Sequence, residues 1–102
     1  MIITTTENKI IDKAYSIIGK RKQLLKSIEE LCELARAISR TLEDDKSDVC
    51  SDNLAEEVAD VYIVLEYVKK QVPEEMLLMA KKKKLERLRK RLIAIEKTNN
   101  DN

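Results

Sequence analysis

The chain has 102 residues, enough for one small domain, with 20 Lys and Arg against 19 Asp and Glu and a net charge of +1. One Gly, one Pro, no Phe and no Trp leave little material for turns or an aromatic core, and the dominance of Leu, Ile, Lys, Glu and Ala reads as all-helical. The absence of His excludes imidazole bases, Ser-His and Cys-His nucleophiles and the usual catalytic zinc sites, so any chemistry must run on carboxylates, Lys, Arg, Tyr or a hard metal ion.

The first element is a helix over about Thr6 to Ile18, with Ile10, Ile11, Ala14, Ile17 and Ile18 at helical spacing and Gly19 as its break. A second helix covers Lys20 to Leu42. Its apolar face is Leu24, Ile28, Leu31, Ala35 and Ile38, broadened by Leu25, Cys32 and Leu34. Cys32 reads as a small core residue, and neither it nor Cys50 belongs to a disulfide framework. The polar stretch Glu43 to Ser51 has no periodicity and reads as a loop, with Ser51 or Asp52 as the cap of the next helix.

That third helix, about Asn53 to Val72, contains the run Val58 to Leu65, which is apolar nearly all round. Such a helix is buried on several sides, more than one small subunit can cover, so a homo-oligomer is expected. Pro73 ends it or opens the fourth helix, where Glu74 and Glu75 suit the N-terminal dipole. The fourth helix runs to about Glu96 with the seam Leu78, Leu85, Leu88, Leu92 and Ile95, and Thr98 to Asn102 reads as a frayed tail. The whole, residues 1–102, is expected to form a single domain. Nothing in it is long and apolar enough to cross a bilayer, no secretory segment opens it, and a cytoplasmic location is expected.

Charge is strongly segregated. Residues 29–66 carry twelve acids against three bases, and residues 81–97 carry nine bases against two acids. The acidic segment contains the same pattern twice, Glu29-Glu30-Leu31-Cys32-Glu33 and Glu56-Glu57-Val58-Ala59-Asp60. Residues three apart on a helix share a face, so Glu30 with Glu33 and Glu57 with Asp60 project together. Two pairs of carboxylates on half-buried faces repel and resist desolvation, and a cation offsets both effects. Chance alone supplies on the order of four such pairs in a chain this acidic, Asp45 with Asp48 among them, but only these two sit in apolar surroundings. All-oxygen ligation selects Mg²⁺, with Mn²⁺ as a substitute, and Mg²⁺ commonly meets substrate phosphates.

The arrangement Glu30-x-x-Glu33, 23 intervening residues, then Glu57-x-x-Asp60, with Leu34 after the first pair and Val61-Tyr62 after the second, resembles the EExxE and ExxD signature of the MazG-like all-α nucleoside triphosphate pyrophosphohydrolases. The similarity spans Lys26 to Arg91 and is closest to the short single-domain forms of bacteria and their phages. It implies a four-helix bundle completed by homo-oligomerisation, as a dimer or a tetramer of paired dimers. The implied activity is Mg²⁺-dependent cleavage of a nucleoside or deoxynucleoside triphosphate to the monophosphate and pyrophosphate. Glu30, Glu33, Glu57 and Asp60 would bind the metal and Glu33 would orient or deprotonate the attacking water, while Glu29 and Glu56, offset by about 100° around their helices, read as groups supporting the ligands or as surface charges. Lys84, Arg87 and Arg91, a stripe on the last helix that short members of the family also carry, would hold phosphates. Two other readings share these residues: a phosphoribosyl-ATP pyrophosphohydrolase of histidine biosynthesis, and a non-catalytic oligomeric helical module. Nucleic acid is disfavoured as a partner, because three tyrosines offer little base stacking and the acidic middle would repel a phosphate backbone.

Overall fold

A computed structural model gives the fold. It describes residues 3–43 and 48–101, the side chains of 48–52 excepted. Four helices account for nearly all of this: α1 (Thr5–Ile18), α2 (Lys20–Glu43), α3 (Asp48–Lys69) and α4 (Glu74–Asp101). No strand occurs among the described residues, and no helix is long and apolar enough to cross a membrane. The contacts divide the chain into two units, Met1–Gln71 and Val72–Asn102.

In the first unit, α1 starts one residue earlier than expected because Thr4 and Glu7 form a capping box. The Thr4 hydroxyl accepts from the Glu7 amide at 3.1 Å, and the Glu7 carboxylate accepts from the Thr4 amide at 2.8 Å. Gly19 alone joins α1 to α2. Its amide donates to the Tyr15 carbonyl at 3.0 Å, its carbonyl accepts from the Gln23 amide at 3.1 Å, and its φ of 101° lies where a side chain is strained. One residue thus closes one helix and opens the next.

The most extensive packing is between α2 and α3, which run antiparallel: Ser27 reaches Val64, while Glu30 lies beside Asp60. The side of α2 that meets α3 is not the expected apolar face. Gln23, Ser27, Glu30 and Ala37 are the buried residues of α2, whereas Ile28, Leu31 and Ile38 are 59%, 43% and 46% exposed in this chain. The two faces are separated by roughly 100° around the helix. Small side chains explain the choice, since Ser27 and Ala37 let the backbones approach, and the buried Ser27 hydroxyl is satisfied by donating to the Gln23 carbonyl at 2.8 Å. Cys32, expected in the core, is exposed.

Likewise α3 buries one side within this chain, through Val61, Val64 and Tyr67, and leaves Val58, Ile63, Leu65 and Val68 about one-third to two-fifths exposed. Its other end is locked to α1. Ile11, Val64 and Tyr67 form a small core with Ile3, Ala14 and Tyr15, and the Tyr15 and Tyr67 rings stack at 6.0 Å. The Gln71 side chain donates to the Tyr15 hydroxyl, and Lys70 pairs with Asp12.

Three expected boundaries shift. Helix α3 begins at Asp48, so Ser51 and Asp52 lie inside it and do not cap it, and of the expected loop residues 44–47 lie outside the described residues. At its far end α3 stops at Lys69 instead of Val72. In the second unit, α4 continues to Asp101, so residues 98–101 are helical and not a frayed tail. Pro73 immediately precedes α4, and its carbonyl accepts the first helical bond from the Leu77 amide at 3.2 Å. No residue of α4 is buried within the chain.

Candidate metal centre

The antiparallel register of α2 and α3 sets Glu30 opposite Glu57 and Asp60. One carboxylate oxygen from each lies within 4.8 Å of the others. A hard cation that holds oxygens at 2.0–2.6 Å spans about 4–5 Å between opposed ligands, so the three oxygens fit a single divalent ion. Glu30 is 9% exposed and Glu57 half-buried, while Asp60 opens the group towards solvent.

Electrostatics shows what this assembly lacks. Burial, then the charges of Glu33, Asp60 and Glu30, push the Glu57 carboxyl above its ordinary range. Asp60 is raised by burial and by the charge and close approach of the Glu30 carboxylate; Lys26 opposes the shift. Among the described residues, Glu57 Oε2 is the one sealed side-chain oxygen or nitrogen without a hydrogen-bond partner. An atom sealed without a partner has lost water and gained nothing in exchange. Protons relieve some of the repulsion, and a divalent cation would relieve it and satisfy the orphaned oxygen together.

Lys26 is the counter-ion already in place. Its ammonium is 3.0 Å from Glu30 and 3.8 Å from Glu29, and the Glu30 partnership raises its pKa. Lys26 precedes Glu30 by one helical turn, a spacing that favours such pairs and was available in the sequence. In the α2–α3 groove a cleft of about 180 Å³ is lined by Gln23, Lys26 and Glu30 from α2 and by Asp60, Ile63, Val64 and Tyr67 from α3, so two of the carboxylates form part of its wall.

Of the four expected ligands, the structure gathers three. Glu33 stands at the edge: its charge is the largest acting on Glu57, but its carboxylate accepts from Arg36 at 3.3 Å and is about half exposed. Comparison with known proteins adds nothing to this geometry. No family model, curated protein or solved structure matches the chain. Glu29 and Glu56 are exposed, outside the group of three, and Glu56 acts on it only by raising Glu57 and Asp60 further. On α4, Lys84, Arg87 and Arg91 are exposed and lie on one side of the helix, at i, i+3 and i+7. Neighbouring Arg89 is engaged by Glu86 at 2.6 Å, whereas these three have no acidic partner among the described residues.

Proposed function

We propose that the chain is a divalent-cation-dependent nucleotide pyrophosphohydrolase that converts a nucleoside or deoxynucleoside triphosphate to the monophosphate and pyrophosphate. The observation that carries this reading is the convergence of Glu30, Glu57 and Asp60 around an unsatisfied buried oxygen. Those three residues would hold Mg²⁺, or Mn²⁺ in its place, and when bound the ion supplies polarisation of phosphoryl oxygens and a more acidic water. Water adds to the α-phosphorus, the bond from that phosphorus to the bridging oxygen breaks, and pyrophosphate leaves with the bond pair. Glu33, half exposed and held only by a surface contact to Arg36, is the carboxylate free to orient that water and take its proton. Lys26 pairs with Glu30 at 3.0 Å and balances part of the charge of the group. Lys84, Arg87 and Arg91 are assigned to the phosphates, for which planar guanidinium forks are well suited.

The functional form is proposed to be a homo-oligomer, a dimer or a pair of dimers. Support comes from α2, whose outward face Ile28, Leu31, Ile38 and Leu42 is exposed among the described residues. A panel of NTPs and dNTPs with Mg²⁺, scored for pyrophosphate against orthophosphate, tests the activity. Pyrophosphate is expected, with a loss of at least 100-fold in Glu30→Gln and Asp60→Asn, the magnitude typical for removing a preorganised electrostatic group. Orthophosphate as the primary product, or full activity in either variant, excludes the mechanism.

A further inference from the structure

The cleft in the α2–α3 groove contains a polar group that neither the fold nor the metal centre uses. Gln23 is 5% exposed, yet its side-chain amide makes no hydrogen bond to any described residue; its backbone is engaged, the amide by Gly19 and the carbonyl by Ser27. Nor are its amide atoms sealed from the surface, since Glu57 Oε2 is the sole sealed and unpaired atom among the described side chains. The amide is therefore open to a space that Gln23 lines, the cleft of about 180 Å³ whose wall also includes Glu30 and Asp60.

Buried amides are ordinarily satisfied, and one left open to a cleft takes its partner from outside the chain, water or a ligand. A primary amide presents a donor beside an acceptor in one plane. Nucleobase edges present the same pair in complementary order, and the amide can rotate to match either polarity. On the α3 side the cleft is lined by Ile63, Val64 and Tyr67 beside Asp60, an apolar stretch suited to the face of a heterocycle. The volume falls below the roughly 300–1,000 Å³ of pockets for whole drug-sized ligands, which leaves room for one ring system and not for a complete nucleotide.

We propose that this cleft is the nucleobase subsite and that Gln23 is the residue that discriminates among bases. The assignment rests on the nucleotide reading of the metal centre, but it is tested without catalysis. In metal-free protein labelled with ¹⁵N, titration with the four common nucleoside 5′-monophosphates is compared with ribose 5-phosphate, which lacks a base. The expected result is a base-dependent shift of the Gln23 side-chain amide and of the Val64 and Tyr67 backbone amides, absent with ribose 5-phosphate. Gln23→Leu should fold with an unchanged or higher melting temperature, because it removes an unpaired buried amide, and should lose those shifts. Equal shifts with ribose 5-phosphate, or none with any monophosphate, overturn the subsite.

Hydrolysis separates this proposal from the one beneath it. If the wild type releases pyrophosphate, the kcat/KM ratio between its best and worst base should change about tenfold or more in Gln23→Leu. An unchanged ratio overturns the role of Gln23 and leaves the activity standing. Base-dependent binding without any hydrolysis retains the subsite and removes the activity.

Discussion

At the scale of single residues, Glu57 and Asp60 make the centre electrostatically incomplete, and pH should reveal it. Both carboxyls are raised in the fold, Glu57 by burial and by Glu33, Asp60 by burial and by Glu30. The folded state then binds these protons more tightly than the unfolded chain. Their destabilising effect is fully present above the raised values and is relieved as pH falls towards the ordinary carboxylate range near 4. Metal-free protein should therefore melt at higher temperature at pH 5 than at pH 8, and Glu57→Gln should flatten that slope and melt higher at pH 8; thermal scans in chelator check both. Glu7, whose carboxyl is lowered by the hydrogen bonds of its capping box, acts with the opposite sign, and its loss appears only at more acidic pH. Much of this site is legible in the sequence. Acids spaced by three residues within apolar flanks mark Glu30, Glu57 and Asp60. The same spacing marks Glu33 equally well and says nothing of Arg36, which draws its carboxylate to the edge. Gln23 carries no pattern at all, because its significance lies in burial without a partner.

At the scale of elements, Gly19 is the most exposed weakness of the fold. Nothing lies within 4 Å of a Cβ placed there, so space is not the constraint; its φ of 101° and ψ of 152° fall in a region almost confined to glycine. Gly19→Ala should cost about 1–3 kcal/mol in a denaturant titration, with little change in the slope, and a neutral result would show that α1 and α2 reorient freely around residue 19. The helices themselves follow from composition and periodicity, and the single Gly and single Pro fall at or next to two of the boundaries. The facing of α2 does not follow. Hydrophobic pattern selects Leu24, Ile28, Leu31, Ala35 and Ile38, but close approach selects Ser27 and Ala37, and periodicity does not rank the two. The early start of α3 at Asp48 is hidden for a related reason: Asp48, Ser51 and Asp52 are cap-forming residue types, and their chemistry suits the start of a helix better than its interior.

At the scale of the whole molecule, the proposed assembly rests on the exposed apolar face of α2. Soluble monomers seldom expose a contiguous apolar surface of this kind, and α3 adds Val58, Leu65 and Val68, each about one-third exposed. Sedimentation at micromolar concentration should give a dimer or tetramer, and Ile28→Glu with Ile38→Glu should release a smaller species; a monomeric wild type would contradict the assembly while leaving the carboxylate group of a single chain intact. That group is the centre of the account. Its most direct test is calorimetric titration of Mg²⁺ and Mn²⁺ into protein freed of metal, comparing wild type with Asp60→Asn and Glu57→Gln. Saturable binding of at least one ion per chain, weakened at least tenfold in both variants, is the predicted result. Absence of binding in the wild type, or equal binding in all three proteins, would show that Glu30, Glu57 and Asp60 meet for some reason other than a cation.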